Sequence, residues 1–438
     1  MLTAIVQHSE ELVAFITALN IVLYQPQIRH LLQMVDALLT CNDTKTISGL
    51  YRLLKGQPDP KSGADFLRES PWEAEDIGSP RKRWMVNKFL ELASRANITF
   101  DIFIGIDDSL GKKGKATKHL EAVDYHHDHN ESTKKKQAYT NGYVYVEVHL
   151  QTGPFGFLYD TRLFLREKAV RRLNRERSAE KHLRYRSKYA LAREMLVELT
   201  TLLPKGHRVY VLFDSWYASK KLIKFCRRQK WHVICAIKSN RRIDKVRVDQ
   251  HNLALRHKPY EPITLKAVDE QHKASKYYTR SIKGCLEDFA EPVHAIISKK
   301  RPGDKFPKYF VCTDLTLTMQ QALRIYQKRW SVEVDNTYLK NALGLGDFRQ
   351  QSFEATQKWF AAVMLAINYL QYRMALASSK NLPKASLADF IRQHRCEHFQ
   401  NLLRTVLKPF APAQQIETCL QDVFSVSPWA IVRPVLHG

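Results

Sequence analysis

Four residues with charged or phenolic side chains recur at helical spacing in one stretch of the sequence: Tyr326, Arg329, Glu333 and Lys340. The last three follow the tyrosine by 3, 7 and 14 positions, in a segment without proline or glycine. At roughly 100° per residue, the four side chains fall within an arc of about 60° on one helix. A face that sets one carboxylate among cations suits a surface turned toward phosphate and metal ions.

Further carboxylates follow two predicted strands upstream of this helix. The apolar and β-branched segment from Thr99 to Asp107 predicts a strand that ends at Asp107-Asp108, and the segment RVYVLF predicts a second strand that ends at Asp214. Together with Glu333, these carboxylates can bind two Mg²⁺ or Mn²⁺ ions, because hard cations prefer oxygen ligands. Two metals about 3.5–4 Å apart activate a water or a 3′-hydroxyl and stabilise the leaving oxygen at phosphorus.

The sequence leaves open which member of the Asp107-Asp108 pair binds metal. A pattern of aspartate, any residue, then serine or threonine selects Asp107, with Ser109. A pattern of aspartate directly before serine or threonine selects Asp108. Strand alternation turns one of the two inward without saying which. Asp107, Asp108, Asp214 and Glu333 are therefore all predicted as catalytic and metal-binding residues.

The pattern Y-x2-R-x3-E-x6-K resembles the signature of the DDE transposases of bacterial insertion sequences, in the branch named for these four letters. The resemblance extends from about residue 40 to 380. It implies an enzyme that uses two ions of Mg²⁺ or Mn²⁺ to nick each end of an element, free a 3′-hydroxyl and join it to target DNA. Its partners would be double-stranded DNA, both inverted-repeat ends and target, and a second copy of the chain in a homodimeric DNA complex.

The same resemblance implies that Tyr326, Arg329 and Lys340 bind DNA and hold the element's end near the scissile phosphate. Arginine can fork two phosphate oxygens, and lysine offers a point charge. The alternative is a plain ion pair within the helix, because Arg329 and Glu333 are four residues apart.

The order of the predicted elements agrees with these assignments. Between residues 98 and 238 it reads strand, strand, strand, helix, strand, helix, strand, which is the order of the ribonuclease H-like fold. In that fold the first and fourth strands are neighbours, so the aspartates that follow them meet. We therefore predict an α/β fold, a ribonuclease H-like mixed sheet with helices on both faces.

The chain is predicted to divide into five regions. These are an all-helical N-terminal domain for DNA binding or dimerisation (1–97), the first part of the catalytic core (98–238), a β-rich insertion before the last catalytic helix (239–319), the second part of the core (320–380) and a helical C-terminal region (381–438).

Composition favours a nucleic-acid partner. The 438 residues include 69 Lys and Arg against 44 Asp and Glu, a formal net charge of +25, and such an excess indicates a polyanionic partner. The seven cysteines form no CxxC pair, a reduced, cytosolic pattern. The apolar run FAAVMLAINYL is too short to span a membrane. We therefore expect a cytoplasmic bacterial protein without membrane contact, associated with the nucleoid when bound to DNA.

Two other functions fit the same residues. A ribonuclease H-like nuclease would cut DNA without joining it, and a domesticated transposase would only bind DNA. The intact carboxylates Asp107, Asp108, Asp214 and Glu333 argue against a decayed enzyme. Short inverted repeats that bracket the gene would favour transposition over both.

Overall fold

The computed structural model describes residues 4–96, 100–128, 131–133, 136–266, 274–287 and 289–425. The helices are α1 (Glu10–Ala18), α2 (Gln25–Thr40), α3 (Ile47–Tyr51), α4 (Pro60–Arg68), α5 (Ala74–Arg95), α6 (Glu167–Leu173), α7 (Lys188–Leu202), α8 (Lys220–Arg228), α9 (Val248–Ala254), α10 (Met319–Gln327), α11 (Trp330–Thr337), α12 (Phe353–Ser379), α13 (Leu387–Leu407) and α14 (Ala413–Ser425). The strands are β1 (Ile102–Lys112), β2 (Asp124–His127), β3 (Tyr139–Thr152), β4 (Phe155–Phe164), β5 (Val209–Phe213), β6 (His232–Ile237), β7 (Arg242–Ile243), β8 (Val246–Arg247), β9 (Glu261–Leu265), β10 (Ser275–Cys285), β11 (Pro292–Lys299) and β12 (Lys308–Cys312).

One mixed sheet organises the molecule. Its strand order is β2-β3-β1-β5-β6-β12-β11-β10-β9, with β4 paired to β3. Strands β1, β5 and β6 run parallel, and the other pairs in this sheet are antiparallel. The α/β class and the ribonuclease H-like arrangement are thus confirmed. The two strands that precede the candidate aspartates, β1 and β5, are neighbours as predicted.

Strand β1 is longer than the sequence indicates. It was expected to end at Asp107, but it continues to Lys112 because the long strand β3 pairs with it throughout, from Ile102 opposite Thr152 to Lys112 opposite Gly142. Its parallel pairing with β5 stops earlier, at Ile106. The aspartates therefore lie inside a strand, just past the end of its parallel pairing. The predicted start of this strand, at Thr99, lies outside the described residues.

The β-rich region after β6 extends the central sheet. Strand β12 pairs antiparallel with β6, and β11, β10 and β9 follow in order toward the edge. The β7–β8 hairpin forms its own two-stranded sheet. The predicted β content of this region is confirmed, while the boundaries of the five regions stay a prediction.

Helix α12 is the centre of the helical part of the fold. It packs against α5, α2, α4 and α13 and against strand β4, so the N-terminal helices share one core with the sheet. Residues 4–96 contain helices α1–α5, as predicted, and α2 begins at Gln25, with Pro26 as its second residue. The apolar run FAAVMLAINYL, expected to be too short to span a membrane, belongs to α12, which among the described helices is long and apolar enough to cross one. However, 83% of the most apolar window of α12 is buried, as in a central core helix.

Candidate active site

Strand alternation sends Asp107 and Asp108 to opposite faces of the sheet. On the face of Asp107, a side chain at Gly105 would come within 2.9 Å of Val332 in α11. On the same face, Ser109 accepts a 2.6 Å hydrogen bond from Lys340. The odd-numbered residues of β1 therefore face the segment that carries Arg329 and Glu333.

A single guanidinium joins two of the predicted catalytic carboxylates. Arg329 donates from Nη1 to Oδ2 of Asp107 and from Nη2 to Oε1 of Glu333, the latter at 2.7 Å. The Arg329 side chain is 17% exposed and that of Asp107 is 21% exposed, so this pairing is sheltered but open to solvent. The spacing of Arg329 and Glu333 allows an ion pair within the helix, and this pair is present. Arg329 also pairs with Asp107 of strand β1.

Asp108 has a different environment on the other face. Its Oδ2 lies 2.6 Å from Nζ of Lys188 in α7, and its Oδ1 accepts a 3.0 Å hydrogen bond from the hydroxyl of Tyr217. The Tyr217 side chain is fully buried. Asp108 therefore has a lysine and a tyrosine as fixed partners, and it connects β1 to α7 and to the loop after β5.

Asp214 directly follows β5 and lies at the level of Asp107. The last parallel pair of β1 and β5 joins Ile106 to Phe213, so the next residue of each strand is an aspartate. Oδ1 of Asp214 accepts hydrogen bonds from the backbone N–H of Trp216 at 2.9 Å and of Tyr217 at 3.3 Å. These bonds fix the loop, while Oδ2 of Asp214 is not used by them.

The pKa of Asp107 reflects burial first and neighbouring charges second. Burial raises it from 3.8 to about 6, the Arg329 guanidinium opposes that rise, and the charges of Asp214 and Asp108 add to it. The positive charge of Arg329 is thus insufficient to offset burial and repulsion. A site of this kind favours an additional cation.

The stretch from Tyr326 to Lys340 is not one regular helix, which corrects the prediction. Helix α10 ends at Gln327, and tight i to i−3 hydrogen bonds follow, from Lys328 to Ile325 and from Arg329 to Tyr326. After α11, residues Tyr338–Ala342 form a π-helical turn. The fixed rotation of 100° per residue therefore does not hold across these residues.

The other two predicted DNA-binding residues, like Arg329, have partners inside the protein. Tyr326 lies at the end of α10, with its ring 4.9 Å from that of Phe310 in an edge-to-face contact. Lys340 lies in the π-helical turn and donates to Ser109 and, at 3.0 Å, to the carbonyl of Leu110. Burial lowers the pKa of Lys340, and nearby Glu147 acts in the opposite direction. A role in DNA binding stays a prediction for Tyr326, Arg329 and Lys340.

A layer of buried polar residues behind the site was missed by the sequence analysis. Glu147 and His149 of β3 contact Asn336 and Asp335 of α11, and Gln371 of α12 donates to Asp335 at 2.8 Å. Burial raises the pKa of Glu147 well above its usual range, and the charges of Asp107 and Asp335 reinforce this. A signal was available, because polar residues alternate with valine and leucine in the middle of an otherwise apolar strand, YVYVEVHL.

The donor set fits a hard divalent cation. Asp107, Asp214 and Glu333 provide carboxylate oxygens, the ligands that Mg²⁺ and Mn²⁺ prefer. Arg329 places positive charge between two of these carboxylates, and a metal cation at this position would offset their negative charge in the same way. No soft sulfur or imidazole ligand is needed to complete such a set.

Comparison with known proteins adds one match. The family model described as "Transposase DDE domain" matches residues 184–369, a range that includes Asp214, Arg329, Glu333 and Lys340 but begins after Asp107 and Asp108. No curated protein matches the chain. A transposase DDE domain acts on DNA and uses divalent metal ions. Strand order, the three carboxylates and the family match agree, and residues 184–369 are therefore similar to the DDE domain of a transposase.

Proposed function

We propose that this protein cleaves the ends of an insertion sequence and joins the freed 3′-hydroxyls to target DNA, as a member of the YREK-signature branch. The observation that carries the proposal is the contact of Asp107 and Glu333 with one guanidinium, with Asp214 at the same level of the sheet. The three carboxylates, which come from β1, from the end of β5 and from α11, thus belong to one candidate metal site beside the sheet.

Asp107, Asp214 and Glu333 would hold two Mg²⁺ or Mn²⁺ ions. When bound, such ions activate a water or a 3′-hydroxyl and stabilise the leaving oxygen at phosphorus. We assign the metal-binding role within the aspartate pair to Asp107, because Asp108 faces away from Glu333 and is held by Lys188 and Tyr217.

Arg329 has two roles in this proposal. In the protein without DNA it offsets the charge of Asp107 and Glu333. Once these carboxylates have a divalent partner, the same planar fork can donate to two oxygens of a phosphate. Lys340, next to Ser109, adds a point charge beside β1.

The proposed partners are double-stranded DNA, as inverted-repeat ends and target, and a second copy of the chain in a homodimeric complex. We place the protein in the bacterial cytoplasm, on the nucleoid when bound. The net charge of +25 supports a phosphate-dominated interface, in which binding weakens steeply with salt because each neutralised phosphate releases counterions. Affinity that is flat between low and moderate salt would contradict that interface.

The test uses two DNA substrates taken from the repeats that flank the gene. One is an intact labelled end, and the other is a pre-cleaved end with a free 3′-hydroxyl, offered with a supercoiled target. The native sequence, Glu333→Gln and Glu287→Gln are assayed for binding, cleavage and joining, with and without Mg²⁺. Glu287 is exposed and lies in the β-rich region, so its variant is the matched control.

We expect the native protein and Glu287→Gln to cleave the intact end and join the pre-cleaved one. Glu333→Gln should do neither and should bind the end at least as well without Mg²⁺, because it removes a carboxylate that repels phosphate. Cleavage without joining would favour the nuclease that only cuts. Binding without either reaction would favour a domesticated DNA-binding protein, and comparable cleavage by Glu333→Gln would exclude the glutamate as a metal ligand.

A further inference from the structure

A second cluster of metal-binding side chains lies in the helical part of the protein. Asp36 of α2 and two histidines of α13, His394 and His398, bring one ligand atom each into a group whose members all lie within 4.8 Å of one another. All three side chains are fully buried. The cluster lies outside the range of the DDE family match, and none of its residues contacts the catalytic carboxylates in the described structure.

The spacing of the ligand atoms suits one small transition-metal ion. Oδ1 of Asp36 lies 2.7 Å from Nε2 of His394 and 2.7 Å from Nε2 of His398, and the two nitrogens are 3.3 Å apart. In a tetrahedral zinc site with Zn–N and Zn–O bonds of about 2.0–2.2 Å, neighbouring ligand atoms are about 3.3–3.5 Å apart. The pair of nitrogens already has this separation, whereas the carboxylate oxygen is at hydrogen-bonding distance from both nitrogens and would move outward on metal binding.

Helix geometry explains why the two imidazoles converge. Residues four apart lie on the same face of a helix, and α13 turns that face toward α2. Arg395 fixes the approach, because its side chain donates to the backbone carbonyls of Leu39 at 3.1 Å and Cys41 at 2.9 Å. The two nitrogens therefore meet Asp36 as a consequence of how the helices pack.

The carboxylate also has an outer partner. Nδ1 of His8 lies 2.7 Å from Oδ2 of Asp36, the oxygen that the other two histidines leave free, and the His8 side chain is 26% exposed. Hydrogen bonds of this kind orient ligating carboxylates in metal sites. Among these four side chains, His8 is the one that is partly exposed to solvent.

We propose that Asp36, His394 and His398 bind a Zn²⁺ ion that fastens α13 to α2, with His8 orienting the carboxylate. Two imidazoles and one carboxylate suit zinc, whereas the oxygen-only set at the DDE site suits Mg²⁺. With three protein ligands, the fourth position of the tetrahedron would be left to a water, and the ion would join the beginning of the chain to the region after the DDE family match. The proposal is independent of the DNA chemistry.

The test measures metal in protein produced without a histidine tag. Elemental analysis should find about one zinc per chain in the native sequence and in Asp214→Asn, which alters the other carboxylate site. The zinc should fall to background in the double variant His394→Gln/His398→Gln. His257→Gln, a change at an exposed histidine, should retain it.

Two readouts keep the test decisive if the double variant fails to fold. Native protein stripped of metal should bind Co²⁺ with the visible d–d bands of a tetrahedral site, and Zn²⁺ should abolish them. At free Zn²⁺ 100-fold above Kd, the unfolding midpoint of the stripped protein should rise by about 3–5 °C. Zinc at background in the native sequence, with neither bands nor a shift in midpoint, would show that the histidines only donate hydrogen bonds to Asp36 and would overturn the proposal.

Discussion

Asp107 and Glu147 occupy directly opposed positions in the antiparallel register of β1 and β3, so a buried acid stands immediately beside a candidate metal ligand. The two differ in how far burial raises the pKa. Glu147 is fully buried with its pKa well above the usual range, whereas the pKa of Asp107 is raised only to about 6. Burial therefore favours the protonated form of Glu147 more strongly than that of Asp107, whose pKa of about 6 leaves it charged at neutral pH.

The first prediction follows from burial, which favours the neutral form of Glu147. Glu147→Gln keeps the shape and an oxygen for Asn336 to donate to, so DNA cleavage should stay within about twofold of the native rate. Glu147→Ala leaves that amide unpaired in the interior and should lower the free energy of unfolding by about 1–3 kcal/mol. Chemical denaturation and the end-cleavage assay check both. Loss of cleavage in Glu147→Gln as complete as in Glu333→Gln would mean that Glu147 is an ionised ligand.

The second prediction separates the two adjacent aspartates. Asp107→Asn should reduce cleavage by more than about 100-fold, beyond what residues outside the metal's own ligands typically contribute. Asp108→Asn keeps the hydrogen bond from Tyr217 but weakens the pairing with Lys188, so its cleavage rate should fall by less than tenfold, about 1.4 kcal/mol. Single-turnover cleavage at saturating Mg²⁺ measures both, and the reverse order would assign the metal to Asp108.

The third prediction concerns stability and pH without divalent ions. Because burial raises the folded-state pKa of Asp107 from 3.8 to about 6, the folded protein binds more protons than the unfolded chain between these values. The stability contributed by this group is fully present below pH 3.8 and is lost as the pH rises through 6. Relative to Asp107→Asn, the native unfolding midpoint should therefore fall from pH 4 to pH 6 and then level off. A constant difference across this range would show that the carboxyl titrates normally.

The fourth prediction concerns a buried arginine that joins the N-terminal helices to the sheet. Arg81 of α5 is 1% exposed and donates to the carbonyl of Tyr159 at 3.0 Å and to the side-chain oxygen of Asn368 at 2.5 Å, and it lies 3.4 Å from Asp160. Arg81→Met should lower the free energy of unfolding by about 3 kcal/mol, the lower end for a broken buried pair. The lower end applies because Asp160 keeps Arg162 as a partner at 3.1 Å.

Arg68→Met is the control for this measurement. Arg68 is 54% exposed in its pairs with Asp65 and Glu69, and exposed pairs contribute less than about 1 kcal/mol. Urea denaturation of both variants gives the comparison. Equal losses would show that the effect of Arg81→Met does not come from burial.

The fold was largely predictable because its signals are local. Runs of β-branched and apolar residues marked β1, β3, β4, β5 and β6, and their order along the chain indicated the neighbouring pair β1 and β5. The length of β1 was not predictable in this way, since it depends on pairing with β3 through residue 112. A strand of polar residues is stable there because a partner strand provides its hydrogen bonds.

In the candidate site, too, the local features were predictable from the sequence and the features that depend on tertiary structure were not. Residue type and spacing identified Asp107, Asp214, Arg329 and Glu333, but the break at Lys328 and the π-helical turn after α11 were invisible to a period of 3.6. The face of the sheet on which Asp107 lies also depends on tertiary contacts, because strand alternation alone allows either Asp107 or Asp108 to face α11. The polar layer around Glu147 also depends on tertiary contacts. Alternation identifies its residues as part of strand β3, but it does not identify them as neighbours of α11.

The position of α12 has a consequence for how this protein is made. The N-terminal helices α2, α4 and α5 pack on a helix that spans Phe353–Ser379, so a nascent chain on the ribosome has no complete core for them until that helix has emerged. Until then the apolar faces of these helices stay exposed and can bind chaperones or one another. A truncated translation product that ends before residue 353 would therefore lack a folded N-terminal region as well as its last catalytic elements, and such fragments would be expected to be degraded instead of competing for DNA.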